Sequence, residues 1–403
     1  MKKVYRHFKN KKLLFISRYK VLNVLWYPEI ENIDDFNREI SRMLWYTNPF
    51  KNKIEHIYMY CSKQLMYSIF KPPKFVDPIV SKFYTEIKHK IVLINDMQKI
   101  KKSSFDIIVL WNNTLIPKTK SVYPFIVNAS IYHNQFEANQ LVKLSSAFLK
   151  KDLIATQCKK LVNYLQMLKD KNFKSVNVFG SGPSLKHYKK HDFNNSISII
   201  CNSIVKNEDF LRDVQPNIMV ATDAVFHSGY SQYASEFRVH LCKALDLVQE
   251  MILIVPMRDI VLYLDNLPKQ YRDRIIGIQS KQLQKFNLDL LREPVVKSTS
   301  NVLTLMMLPL ASTFELPIKI LGFDGKSIKK EEKFWDYDSS SQFASSMDST
   351  RLAHPAFYAV DYEEYYETHC EEVRKIMQLI EEKSLVIKML AHSYISALNK
   401  YYD

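Results

Sequence analysis

Ser175-Val-Asn-Val-Phe-Gly-Ser-Gly-Pro-Ser-Leu185 is the stretch around which the chain is organised. Val176, Val178 and Phe179 form a short apolar, β-branched run of the kind that makes a buried parallel strand. It stops at Gly180-Ser181-Gly182-Pro183-Ser184. Glycine allows backbone angles that other residues resist and lets another group approach the main chain closely. Pro183 and Ser184 suit the first turn and cap of a helix, whose free N–H groups attract anions. A strand, a glycine turn and a helix start together read as a phosphate or nucleotide cradle; an ordinary βα turn would carry the same letters. The chain has only six glycines in 403 residues, against an average usage of about 7%, and two of them stand here within three positions.

The length suffices for two domains of ordinary size. With 47% hydrophobic and 13% aromatic residues, full cores can form. The charge is uneven. Residues 1–170 hold 29 Lys and Arg against 13 Asp and Glu, leaving 28 against 29 for the remainder. All of the net +15 therefore sits in the N-terminal part. That asymmetry fits an acidic partner such as an anionic membrane surface, an acidic glycolipid or nucleic acid; it also fits a lysine-rich surface of no special purpose. The five cysteines are scattered and lack CxxC spacing, which argues against a disulfide framework and a zinc site and suits a reducing cytoplasm. The apolar run at 13–16 is too short for a signal-peptide core, and no run approaches the roughly 20 residues that span a bilayer. Membrane contact is expected to be peripheral.

After a basic lead-in over 1–20, strand-like and helix-like patterns alternate. Runs at 21–27, 56–61, 90–95, 106–111 and 125–129 read as strands. Residues 34–46 read as a helix with Phe36, Ile40, Met43 and Leu44 on one face and Asp34 or Asp35 as cap. Helices at 137–149 and 157–170 would close this unit, and the polar joint at 169–174 marks its end. The second unit carries strands at 175–179, 196–201, 218–222, 251–255, 275–278 and 318–322, with helices at 230–245 and 301–311. A polar, serine-rich stretch at 326–351, containing Tyr337, reads as a lid or binding segment. Two helices, at 362–382 and 385–402, would end the chain. Alternating strands and helices imply parallel sheets with helices on their faces. The expected fold class is therefore α/β with two Rossmann-like, doubly wound domains, 1–170 and 171–403.

In such sheets ligands bind beyond the carboxyl ends of the strands. Ser181 and Ser184, then Asn202 and Ser203, then Asp223 and His227, and finally Asp324 all fall at such ends. Ser298, Thr299 and Ser300 precede a helix, where hydroxyls and free N–H groups could hold a carboxylate. Asp223 ends the apolar run Ile218-Met-Val-Ala-Thr-Asp223; there it could be a nucleophile, a general base or simply an N-cap. His354 stands before Pro355, which favours an extended backbone and an imidazole presented for proton transfer. No spacing suggests a metal site, and there is no Asp-x-Asp pair.

Five segments in order also carry a family resemblance. Val178-Phe-Gly-Ser-Gly-Pro-Ser-Leu185, Ile200-Cys-Asn-Ser203, Ser298-Thr-Ser300, Ile320-Leu-Gly-Phe-Asp324 and His354 resemble the motifs of bacterial sialyltransferases that use CMP-activated sugars. The likeness spans about residues 175–400. The sequence departs from that pattern at Asn301, where those enzymes have glycine, and at Asp223-Ala224, where they have asparagine and proline. Around this second departure, Ala221-Thr-Asp-Ala-Val-Phe-His-Ser-Gly229 is similar to the retaining β-Kdo transferases of O-antigen and capsule assembly. Those enzymes are similar in fold to sialyltransferases and use a related 2-keto-3-deoxy sugar acid.

The resemblance implies a GT-B-like glycosyltransferase with no cofactor or metal, its substrate a CMP-activated sugar acid, most simply Kdo. Asp223 would be the nucleophile. Gly180, Ser181, Gly182, Pro183, Ser184, Asn202, Ser203, Ser298, Thr299, Ser300 and Asp324 would bind the donor, with His227 and Tyr337 as further candidates. CMP leaves as a monoester, so no metal is needed to offset a diphosphate. The basic N-terminal unit would bind an oligosaccharide or glycolipid acceptor at the cytoplasmic face of an anionic inner membrane. In the sialyltransferase alternative the reaction inverts configuration, with His354 as general base. A motility-associated flagellin glycosyltransferase would share the glycine turn and differ in its acceptor. A nucleic-acid-binding protein would use the basic half, yet the sequence carries no recognised nucleic-acid motif, and nucleic acid is not the expected partner.

Overall fold

A computed structural model describes residues 21–27, 30–110, 118–121, 124–128, 137–149, 151–325, 339–355 and 361–402. The basic lead-in, Tyr337 and the first half of the serine-rich stretch, 326–338, lie outside the described residues. The protein is α/β, with two sheets whose pairings are all parallel.

The first compact unit is built from Met1–Leu149, Ala224–Ser235 and Ser346–Val360. Its sheet has the order β3-β2-β1-β4-β5, with β1 at Leu22–Tyr27, β2 at Ile54–Tyr60, β3 at Ile91–Ile94, β4 at Ile107–Leu110 and β5 at Phe125–Asn128. These strands match the apolar runs of the sequence, because a parallel strand covered on both faces has no polar alternation to show. The helix Ile33–Thr47 also forms as expected, but Asn32 caps it. The Asn32 carboxamide oxygen accepts from the N–H groups of Asp34 and Asp35, both at 2.9 Å. Those two aspartates occupy the first turn instead, where the helix dipole favours negative charge.

The second unit comprises Lys150–Asp223, Glu236–Ser345 and Asp361–Asp403. Eight strands line up as β11-β10-β9-β8-β7-β6-β12-β13. They are β6 at Ser175–Phe179, β7 at Ser196–Cys201, β8 at Ile218–Val220, β9 at Ile252–Pro256, β10 at Ile275–Lys281, β11 at Val295–Lys297, β12 at Ile318–Leu321 and β13 at Ile387–Met389. Three corrections to the expected layout follow. The helix Lys151–Lys169 packs on this second sheet, with the Gln157 side-chain oxygen accepting from the Gly277 N–H at 3.0 Å and Tyr164 donating to the Asn217 carbonyl at 2.7 Å. Residues 385–402 are not a helix: β13 extends the sheet beside β12, and only Ser396–Asn399 is helical. The open edge of β12 explains this, since its Ile318 N–H finds the Val386 carbonyl at 2.8 Å and unpaired backbone groups are costly. Finally, 224–235 and 346–360 leave the second unit for the first, so a single cut at 170 does not divide the chain.

The chain order reverses between β6 and β12. From β6 the sheet grows outward through β7 to β11, and then returns to lay β12 on the other side of β6. Val178 pairs with Ile320 and Phe179 with Leu321, so the two strands end level. Beyond them the backbones of Gly180 and Gly322 touch. A Cβ on Gly322 would lie 2.0 Å from the Gly180 carbonyl oxygen, and Gly322 has φ +81°. Gly322→Ala therefore meets both a left-handed backbone and a backbone clash. It is expected to cost at least about 2 kcal/mol, lowering the thermal midpoint by several degrees in a calorimetric scan; an unchanged midpoint would contradict the contact.

Candidate active site

The glycine turn is occupied by the protein itself. Gly182 has an extended backbone, φ −71° and ψ 166°, so its missing side chain serves proximity and not conformation. A Cβ there would fall 2.1 Å from the Asp324 Oδ2. The Asp324 carboxylate accepts from the Ser184 N–H at 3.1 Å and from the Ser184 hydroxyl at 3.0 Å, while the Gly322 N–H donates to the Ser184 Oγ at 3.1 Å. The Gly182 N–H goes to the Gly322 carbonyl at 2.9 Å. Pro183–Lys190 is a 3₁₀ segment, not an α-helix, and the anion at its start is Asp324. At the turn read in the sequence as a phosphate cradle, residues 180–184, the Ser184 N–H and hydroxyl hold the Asp324 carboxylate, and Ser181 and Ser184 are buried.

The second expected anion site repeats the pattern. Ser300 donates through its N–H and hydroxyl to Glu372 Oε2, at 3.4 and 3.2 Å. Burial pushes the Glu372 carboxyl up, with the Ser300 hydrogen bonds drawing it partly back. The Thr304 hydroxyl donates to the Thr299 Oγ1 at 3.0 Å, and the Ser298 N–H to the Lys281 carbonyl at 2.8 Å. The helical stretch that follows is capped by Asn301, whose side-chain oxygen accepts from the Leu303 N–H at 2.9 Å. It opens with a π turn, Leu303–Met307, before Leu308–Thr313; such bulges recur at functional sites.

Between these two occupied cradles, the rim of the sheet carries groups in less settled environments. Asp223 follows β8, half-buried, and is the last residue of its unit before the chain enters Ala224–Ser235. Two tyrosines respond to its charge. Burial first, then Asp223, holds the Tyr365 hydroxyl above its ordinary value, and that hydroxyl donates to the Ser300 carbonyl at 2.6 Å. Tyr263, fully buried, is raised by burial, then by Asp259, and to a smaller degree by Asp223. Asn202, at the end of β7, has φ +53°, a left-handed conformation that costs a non-glycine residue of order 1 kcal/mol or more. Its side-chain oxygen is buried without a hydrogen-bond partner among the described residues. A strained backbone that aims an unsatisfied acceptor at a strand end is a mark of a ligand position. The neighbouring Ser203 is buried.

Two residues of this rim went unread in the sequence. After β9, Arg258 donates through Nε to Asp259 Oδ1 at 3.0 Å and through a terminal nitrogen to the Thr222 carbonyl at 3.3 Å. Asp259 is almost wholly buried, and burial raises its carboxyl to about 6, against the pull of Arg258 and with a push from Asp223. The signal was an Arg-Asp pair directly behind the apolar run Ile252–Pro256, at the same strand level as Asp223.

Both histidines belong to the first unit. His227 is buried in the π turn Ala224–Ser228. His354 has no exposed surface, contrary to the expectation that Pro355 would present it. The reason lies in a buried polar chain. Trp26 donates to Glu39 at 3.2 Å, Glu39 pairs with Arg42, and Arg42 donates to the Ala353 carbonyl at 2.6 Å. Tyr230 donates to the same carbonyl at 2.7 Å and sets its ring edge-on to His354, centroids 5.1 Å apart. These contacts draw the end of the helix Met347–Ala353 into the core of the unit. Of the described part of the serine-rich stretch, Ser340 accepts from Asn207 at 2.8 Å and Phe343 lies under the Lys206 ammonium at 5.6 Å, just beyond β7.

Among the described residues no group of three or more His, Cys, Asp or Glu is arranged to hold a metal ion, and no helix is long and apolar enough to cross a membrane. No model of a known protein family matches the chain, and no curated protein matches its sequence. Asp324→Ala separates a structural from a ligand-binding role. With the Ser184 N–H and hydroxyl left without their anion, stability should fall by about 2 kcal/mol in a denaturant titration made without any ligand. Unchanged stability would return Asp324 to the donor site.

Proposed function

We propose that the protein is a glycosyltransferase of GT-B-like architecture that transfers a 2-keto-3-deoxy sugar acid, Kdo most simply, from its CMP-activated donor to a bacterial surface glycan. The observation that carries this reading is Asp223: a half-buried carboxylate at the carboxyl end of a central parallel strand, with a guanidinium bonded to the residue before it. Retaining glycosyl transfer asks for such a group. Its oxygen attacks the anomeric carbon as the bond to the phosphate breaks, and the sugar is held as an ester until the acceptor hydroxyl displaces it. Asn202, with its strained backbone and unsatisfied carboxamide oxygen on the neighbouring strand end, supports a ligand at the same rim. The family resemblance supports the identity of the nucleotide and sugar.

The inverting alternative asks His354 to take a proton from an acceptor. Its complete burial beside Tyr230 gives a sugar hydroxyl no approach, and geometry precedes pKa in judging a base. His354 is better read as part of the packing that fixes 346–354 to the first unit. The lysine-rich N-terminal part, at neutral pH, suits an acidic glycan or an anionic leaflet.

Incubation of the protein with CMP-Kdo and no acceptor, followed by rapid acid quenching, is expected to add the mass of one Kdo residue to the intact chain. Peptide mapping should place it on Asp223. Asp223→Asn keeps the side chain's shape without its charge, and should still bind CMP while losing the adduct and at least about a thousandfold in turnover, the range seen when a group acting at the transition state is removed. A Kdo-transferring enzyme whose Asp223→Asn form retains full activity would overturn the assignment.

A further inference from the structure

The guanidinium beside Asp223 belongs to Arg258, and the way it is held points to a role beyond its contact with the residue before Asp223. Arg258 is fixed at two points. Its Nε donates to Asp259 Oδ1 at 3.0 Å, and one terminal nitrogen reaches the Thr222 carbonyl at 3.3 Å. The first contact is to the next residue in its own chain, and the second crosses from the end of β9 to the end of β8, which pair in parallel. The guanidinium is thereby stretched over the main chain immediately before Asp223. Its other terminal nitrogen makes no hydrogen bond among the described residues. The burial of the pair is lopsided: the Asp259 side chain keeps 2% of its surface and that of Arg258 keeps 30%. A carboxylate this deep is costly unless something holds it there, and an arginine that served only to neutralise it would turn its fork inward. Here the narrow Nε edge faces Asp259, and donors on the wider edge remain for a second partner. Guanidinium groups with a locked side and an open side suit planar or tetrahedral oxyanions, which they bind through two parallel N–H donors.

The donor that the proposed function requires carries two such groups, the carboxylate of the sugar acid and the phosphate of the nucleotide. We propose that Arg258, held by Asp259 and the Thr222 carbonyl, is the residue that binds an oxyanion of the donor beside Asp223. The role follows from electrostatics. An anionic nucleophile and an anionic donor repel each other, and a fixed cation between strand ends offsets that repulsion at this half-buried rim. Among the described residues the two other candidate anion cradles are engaged, because Asp324 fills the turn at Ser184 and Glu372 fills the one at Ser300. A phosphate contact would stabilise the charge that grows on the leaving CMP. A carboxylate contact would instead orient the sugar's anomeric carbon.

This inference rests on the proposed donor, and the experiment keeps the two apart. Removing Arg258 alone would leave Asp259 buried and unpaired, so the principal variant is the double one, Arg258→Gln with Asp259→Asn, which removes both charges; Arg258→Lys keeps the charge without the fork. Binding of CMP, cytidine and free Kdo is measured by calorimetric titration, and kcat/KM with CMP-Kdo. A phosphate contact predicts CMP binding at least tenfold weaker in the double variant, with cytidine unchanged. A carboxylate contact predicts CMP unchanged, free Kdo at least tenfold weaker and kcat/KM reduced to match. In both cases Arg258→Lys should fall between the double variant and the wild type. If the wild type binds CMP or Kdo and the double variant binds each equally well with kcat/KM unchanged, the role of Arg258 is overturned and the donor assignment stands. Wild-type protein that binds neither CMP nor Kdo overturns both.

Discussion

The second unit depends on one backbone contact, the approach of Gly180 to Gly322 at the ends of β6 and β12. These are the strands at which the winding of the sheet reverses, so their loops leave in opposite senses and a crevice would ordinarily open between them. Here the crevice is closed. Two glycines bring the main chains together, and the Asp324 carboxylate seals the junction by taking the N–H and hydroxyl of Ser184. The free N-terminus that attracts a phosphate in many α/β proteins is neutralised from inside. The same economy appears at Ser300, where Glu372 supplies the anion. With both cradles filled by the protein's own carboxylates, the candidate site lies farther along the sheet, at the ends of β7, β8 and β9, where Asn202, Asp223 and Arg258 stand.

This displacement accounts for what the sequence made legible and what it concealed. Most strands were readable because their stretches are mainly apolar, rich in Val, Ile and Leu, a signal carried by neighbours in the chain. β11 and β13 were not, being three residues each and dependent on an edge already in place. The glycine turn was recognisable as a site of close approach; what approaches it was not. Asp324 lies 140 residues from Ser184, and no local pattern distinguishes a carboxylate that binds a ligand from one that caps the protein's own turn. His354 misled for the same reason. Its local sequence, with Pro355 behind it, suggests exposure, but Arg42, 311 residues distant from Ala353, pulls the preceding helix inward.

The units divide the histidines from the aspartate as well. Asp223 closes a segment of the second unit, whereas His227 and His354 sit in segments that the first unit claims through helix Ile33–Thr47 and Tyr230. A buried ion pair such as Glu39–Arg42 contributes little net stability against an apolar replacement and is costly to break singly. Its effect here is positional, since Arg42 must meet the Ala353 carbonyl wherever that segment of chain goes. The chemistry proposed for Asp223 thus draws on the second unit's rim: a carboxylate, a fixed guanidinium, and the hydroxyls of Tyr365 and Tyr263, which burial first and neighbouring charge second, Asp223 included, hold above their ordinary values.

A nucleophilic Asp223 makes one demand that no amount of side-chain placement can evade. Two displacements at the anomeric carbon return the sugar to its starting configuration, whereas a single displacement by the acceptor inverts it. NMR of the product formed from CMP-Kdo and a soluble acceptor reads that configuration directly. The account predicts that the new linkage has the same anomeric configuration as the donor. A product of inverted configuration would contradict it and remove the covalent role from Asp223.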